Sequence, residues 1–194
     1  SQSQPVDHAD TGDNNDPASL AAGLVVLTAT SSVTDGDGDT AGDTASQNIG
    51  DSFVFVDDGP VAGTTPSSSV DETGLRTSGA TITATRDLVI DLGADREAGP
   101  VAVAFDATQT ALSYAIVDGL ITASAGGVEV FTVALTQPTA ANGYQPAYTY
   151  TQSAPLDHGD AATPLAELDL PFAVTVTDGD GDTASATFCG DGDG

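Results

Sequence analysis

Two short stretches hold residues whose type and spacing could do chemistry. Thr34-Asp35-Gly36-Asp37-Gly38-Asp39-Thr40-Ala41 returns letter for letter as Thr177-Asp178-Gly179-Asp180-Gly181-Asp182-Thr183-Ala184, 143 residues later. Each copy sets three carboxylates at alternate positions with glycine between them. On a flat strand the three would line one face and repel. Glycine lets the backbone fold, so that carboxylates and carbonyls converge on one hard cation. The spacing matches the first half of an EF-hand loop, and the second half is missing. The sixth position holds Thr40 or Thr183 where a glycine would stand, and the twelfth holds Ser46 or Cys189 where a bidentate glutamate would stand. The pattern therefore predicts a strand-loop-strand calcium turn that draws further oxygens from elsewhere, with Asp57-Asp58 and Asp71-Glu72 as donors. Magnesium fits less well, because it keeps its waters and demands octahedral geometry. The plainer alternative is a pair of solvated acidic hairpin tips.

Other chemistry is sparse. Asp7 to Asp16 is a second oxygen-rich stretch, either an ion site or a loose terminus. His8 and His158 each follow an aspartate in a repeated context, which reads as a structural turn before it reads as a ligand or base. No Gly-x-Ser-x-Gly elbow or other nucleophile–base pairing emerges, so an enzyme is not expected. Cys189 continues an alternating strand and is expected as a buried thiol. The three cations are Arg76, Arg86 and Arg96; in so acidic a chain they are expected to pair with acids, or in one case to grip a ligand carboxylate.

The elements that must position these groups are strands. Thr and Val abound, while 22 Gly and 10 Pro interrupt the chain. Asp118-Gly119 sits between two alternating apolar runs, 113–117 and 120–124, and Gly126-Gly127 turns into Val128–Leu135, so three strands should meander antiparallel. About ten short strands predict an all-β chain, an antiparallel, immunoglobulin-like β-sandwich stabilised by calcium. Residues 1–194 read as a single module, one 143-residue period plus the flanks of its neighbours, cut from a longer multidomain protein.

Charge sets the outer bounds. There are 29 Asp plus Glu against 3 Lys plus Arg, a formal net charge of −26. Such a chain lacks the basic face that nucleic acids or anionic membranes require. No apolar run is long enough to span a bilayer, and one cysteine excludes a disulfide framework. Hydrophobic residues make up 39 %, too many for a disordered acidic tail. Self-repulsion on this scale calls for several bound Ca2+ ions.

A family resemblance enters at Tyr148-Thr-Tyr-Thr-Gln-Ser-Ala-Pro-Leu-Asp-His158, followed by Leu170-Pro-Phe-Ala-Val-Thr-Val-Thr177 and the second Asp-Gly loop. Together with Val56-Asp57-Asp58-Gly59-Pro60 and Val70-Asp71-Glu72-Thr73-Gly74-Leu75, these resemble the 143-residue-type repeats of giant type I-secreted RTX adhesins of Gram-negative bacteria. The resemblance implies an extracellular cell-surface fibre that functions in adhesion and biofilm formation, built of calcium-rigidified units beside adjacent adhesin domains. By position it carries calcium to Asp35, Asp37, Asp39, Asp178, Asp180 and Asp182.

Three stretches read as enlarged loops relative to a uniform spacer: Asp13–Ala22, Gly42–Asp51 and Ala140–Pro146. Loops on a rigid scaffold are where recognition sits. The leading expectation is a calcium-dependent, peptide-binding module with Tyr144 and Asn142 at its ligand site. The partner is a peptide or glycan on a host or neighbouring cell, and no membrane is entered. The alternative is a structural extender without a ligand.

Overall fold

The computed structural model describes residues 6, 8–10, 12–97, 99–106, 115–156 and 168–193; of 117, 168, 169 and 190–193 it gives the backbone alone. The chain divides into two compact units, Val6–Asp57 and one that takes in Asp58–Gly194. Strands dominate both, and the helical turns are short 3-10 segments such as Glu72–Arg76. The expectation of an all-β chain in largely antiparallel sheets holds.

Among the described residues the smaller unit has four strands, β1 (Pro17–Ser19), β2 (Val26–Thr34), β3 (Thr40–Asn48) and β4 (Val54–Val56). β1 pairs antiparallel with β4, and β2 with β3. The β2–β3 hairpin carries a ladder of hydroxyls on one face, where Thr28 meets Ser46 at 3.2 Å and Thr34 meets Thr40 at 3.3 Å. Its other face alternates to Leu27, Ala29 and Val33, all exposed. Gly42–Asn48 is therefore not an enlarged loop. It continues β3 in register with β2, as Ser185–Asp191 continues the last strand of the chain.

The larger unit adds β5 (Val61–Ala62), β6 (Ser68–Asp71), β7 (Ile82–Asp87), β8 (Ile90–Asp91), β9 (Ala102–Phe105), β10 (Ala115–Val117), β11 (Leu120–Ala125), β12 (Val128–Thr136), β13 (Ala147–Gln152), β14 (Leu168–Thr177) and β15 (Thr183–Asp193). A five-stranded sheet runs β10-β11-β12-β13-β7, a four-stranded sheet runs β6-β15-β14-β9, and β5 pairs with β8. Among the described residues all of these pairs are antiparallel except β15 with β6. The meander expected around Asp118-Gly119 is present in β10, β11 and β12. Both turn residues have positive φ, 53° and 74°, the backbone hand that matches the twist of the strands it joins.

Alternation places one face of each sheet inward. Leu170, Phe172, Val174, Val176 and Phe188 meet Phe131, Val133, Tyr148 and Tyr150, all fully or almost fully buried. Tyr148 stacks on Phe188 with ring centroids 4.1 Å apart, and Phe131 meets Phe172 edge-on at 6.2 Å. These rings bring the two sheets into one core. Cys189, one residue past Phe188, points to the other side of β15 and is half-buried, so the fully buried thiol expected from the alternation is not found.

Candidate metal centre

The two Asp-Gly-Asp-Gly-Asp stretches are the tips of β2–β3 and β14–β15, and they fold alike. In the first, the Asp35 N–H donates to the Asp39 carbonyl at 2.9 Å. Asp35 Oδ1 accepts from the N–H groups of Asp37, Gly38 and Asp39 at 3.3, 3.2 and 2.9 Å. In the second, the Asp178 N–H donates to the Asp182 carbonyl at 3.0 Å, and Asp178 Oδ1 accepts from Gly181 and Asp182 at 3.1 and 2.9 Å. Both need a fourth-position glycine in the left-handed region, Gly38 at φ 99° and Gly181 at φ 112°. The first carboxylate thus closes each turn through a single oxygen, Oδ1.

Glycine folds the segment as the sequence requires. Asp35, Asp37 and Asp39 each present a carboxylate oxygen, and these lie within 4.8 Å of one another on an exposed tip. This acidic cluster could hold a metal ion. The second tip is enclosed: Asp178 and Asp182 are 1 % exposed. Asp178 Oδ2 and Asp180 Oδ1 are buried and have no hydrogen-bond partner. Gly99 backs the tip, placed so close to the Gly179 carbonyl that no Cβ fits there.

The two tips are electrostatically unlike. Asp35 is held below the ordinary carboxylate range, first by hydrogen bonding with the Asp37 side chain and then by the backbone N–H groups of the turn. Asp178 is pushed up to about 7, first by burial and next by the Asp180 carboxylate beside it. A carboxylate buried beside a second carboxylate retains a proton, and a divalent cation can take that proton's place.

The other candidates divide. Asp57 belongs to the smaller unit, its N–H donating to the Asp16 carbonyl at 3.2 Å. Asp58 is exposed in the larger unit, where its Oδ2 accepts from the Ala94 N–H at 3.1 Å. Asp71 caps the 3-10 turn after β6 by accepting from the Thr73 N–H at 2.8 Å, which lowers its pKa. Glu72 accepts from Gln152 and, at 2.7 Å, from the Leu156 N–H. Asp71 and Glu72 therefore serve the fold, an arrangement hidden in sequence because Gln152 lies 80 residues from Glu72. The acidic stretch before β1 is knitted by its own turns, with Asp16 Oδ2 accepting from the N–H groups of Ala9 and Asp10. Asp7, Asp157 and His158 lie outside the described residues.

The two proposed ligand contacts also part. Asn142 is engaged within its own loop: Oδ1 accepts from the Thr139 N–H at 2.8 Å and Nδ2 donates to the Gln137 carbonyl at 2.9 Å. Tyr144, two residues on, lines an open cavity of about 420 Å³ in the larger unit. Arg96 stands in the same cavity, its guanidinium carbon 5.9 Å from the Tyr144 ring centre.

Among known proteins, residues 1–50 match the model of a family described as a domain of unknown function (DUF5801). No curated protein matches the chain. Among the described residues no helix is long and apolar enough to cross a membrane.

Proposed function

We propose that this chain is a calcium-binding β-sandwich module of a secreted surface adhesin of the RTX type, acting outside the cell as a calcium-dependent ligand-binding unit. The observation that carries the reading is the enclosed tip of β14–β15. Two buried carboxylate oxygens, Asp178 Oδ2 and Asp180 Oδ1, have no hydrogen-bond partner beyond a proton shared between the two carboxylates. Leaving such groups unmatched costs more than a typical hydrogen bond contributes. A bound Ca2+ supplies the missing charge, and the oxygen-only ligand set suits it. The same backbone turn at the tip of β2–β3 offers a second, more exposed place for an ion.

Calcium titration of the full chain tests this. Calorimetry is expected to detect binding with Kd in the range of extracellular modules, about 10⁻⁴–10⁻³ M. The thermal midpoint should rise as calcium is added and fall on chelation, and Asp180→Asn should weaken both effects. A midpoint unmoved by millimolar calcium would remove the proposal. The second reading is an extender without a ligand, favoured by the repetition of one hairpin and one loop at a 143-residue interval. Capture from peptide and glycan arrays that depends on calcium separates the binder from the extender.

A further inference from the structure

The open cavity beside Tyr144 lies in the larger unit and is built from three tied segments. The loop before β13 is held by Asn142 and by the Tyr144 N–H, which donates to the Thr139 carbonyl at 2.7 Å. Gln145 Nε2 then stitches that loop to the Leu88 carbonyl at 2.8 Å. The 3-10 turn Ala94–Glu97, which carries Arg96, is anchored through the Ala94 N–H on Asp58. Tyr144 takes a φ of 59°, a left-handed conformation unfavourable for an aromatic residue, directly after Gly143 at 67°. The surrounding bonds thus hold a strained tyrosine in the wall of a cavity.

The charges in that cavity are mixed. Arg96 is exposed, and among the described residues no carboxylate stands within ion-pair distance of it, although the chain carries a net charge of −26. Asp87 and Asp91 line the same space. An anionic ligand would meet two carboxylates and the field of the whole chain. A cationic ligand would meet the guanidinium. An apolar ligand would strip water from three charges without replacing it. A ring bearing adjacent hydroxyls satisfies every group at once: its oxygens accept from the Arg96 fork, its O–H groups donate to Asp87 or Asp91, and its C–H face packs on Tyr144 and the exposed Val89.

We propose that this cavity is a binding site for a neutral saccharide. The inference rests on the ligand-binding reading above and deepens it by naming a site and a ligand class; calcium enters through the stability of the fold and makes no contact with the sugar.

The test uses the calcium-loaded full chain and a panel of neutral mono- and disaccharides: glucose, galactose, mannose, fucose, N-acetylglucosamine, lactose and maltose. NMR follows the Arg96 Nε–H and Tyr144 ring signals. Short peptides with free ends and acetate serve as rival probes. At least one sugar is expected to shift both signals. Arg96→Gln and Asp91→Asn should each weaken that sugar about tenfold or more. The asparagine keeps the Oδ1 that accepts from the Gly93 N–H. Anion binding would instead be strengthened by Asp91→Asn, and cation binding by Arg96→Gln, so tightening in either variant overturns the proposal. So does a panel in which no sugar, or only a peptide, moves the two signals. Calcium binding measured on the same samples reports separately on the metal centre.

Discussion

At the residue scale, one five-residue sequence supports two opposite ionisation behaviours. Asp35 and Asp178 open turns of the same sequence and similar bonding, yet the first is lowered and the second is raised to about 7. At exposed Asp35 the first cause is the hydrogen bond with the Asp37 side chain, which lowers it; at Asp178 the first cause is burial, and the Asp180 carboxylate raises it further. Asp178 has an ordinary pKa of 3.8, so the calcium-free folded chain binds more protons than the unfolded chain between 3.8 and about 7. Its contribution to stability is complete below 3.8 and lost as pH rises through about 7. The chelated protein is therefore expected to melt lower at pH 8 than at pH 5, about, with Asp178→Asn flattening that fall. Saturating calcium should reduce or reverse the trend, because the cation replaces the proton. Thermal melts across this range decide the matter; parallel slopes for the parent and Asp178→Asn, both chelated, would refute it.

At the element scale, the two hairpins form a matched pair with different surroundings. β2–β3 and β14–β15 share loop and register: Val33 faces Ala41 as Val176 faces Ala184, and Leu27 faces Gln47 as Leu170 faces Gly190. Leu170 is 1 % exposed and Leu27 is 60 % exposed. Leu170→Ala should cost about 2–5 kcal/mol, from lost burial and a residual cavity. Leu27→Ala, at the equivalent position, should stay within about 0.5 kcal/mol. Urea unfolding followed by circular dichroism measures both, and equal losses would contradict the burial difference.

This pair also marks how far sequence reached. The Asp-Gly turns and the Asp118-Gly119 hairpin were legible because each depends on contiguous residues whose backbone preferences agree. Gly42–Asp51 reads as a loop in sequence because Gly42, Asp43 and Ser46 are weak strand formers; pairing along β2 overrides that preference as far as Asn48. The Arg96–Tyr144 cavity was hidden for another reason. Its walls are 48 residues apart and meet only through tertiary structure, and the left-handed Tyr144 has no signature in residue type.

At the scale of the whole molecule, the governing quantity is a net charge of −26 on 194 residues. Acidic side chains crowd any compact state, and self-repulsion opposes folding unless ions screen or bind them. Screening and binding differ in a measurable way. Sodium chloride acts on all exposed charges by shortening the Debye length to about 8 Å near physiological ionic strength. Calcium acts at particular cages and removes two negative charges per ion from the folded state only. The chelated chain is therefore expected to gain thermal stability steeply as sodium chloride rises. The calcium-loaded chain should start higher and gain less, because its most strongly interacting carboxylates are already neutralised. Calorimetric scans over a salt series, with calcium and with chelator, test this directly. Equal salt slopes in both series would mean that the divalent ion merely screens, and that the Asp178–Asp182 turn holds no cation of its own.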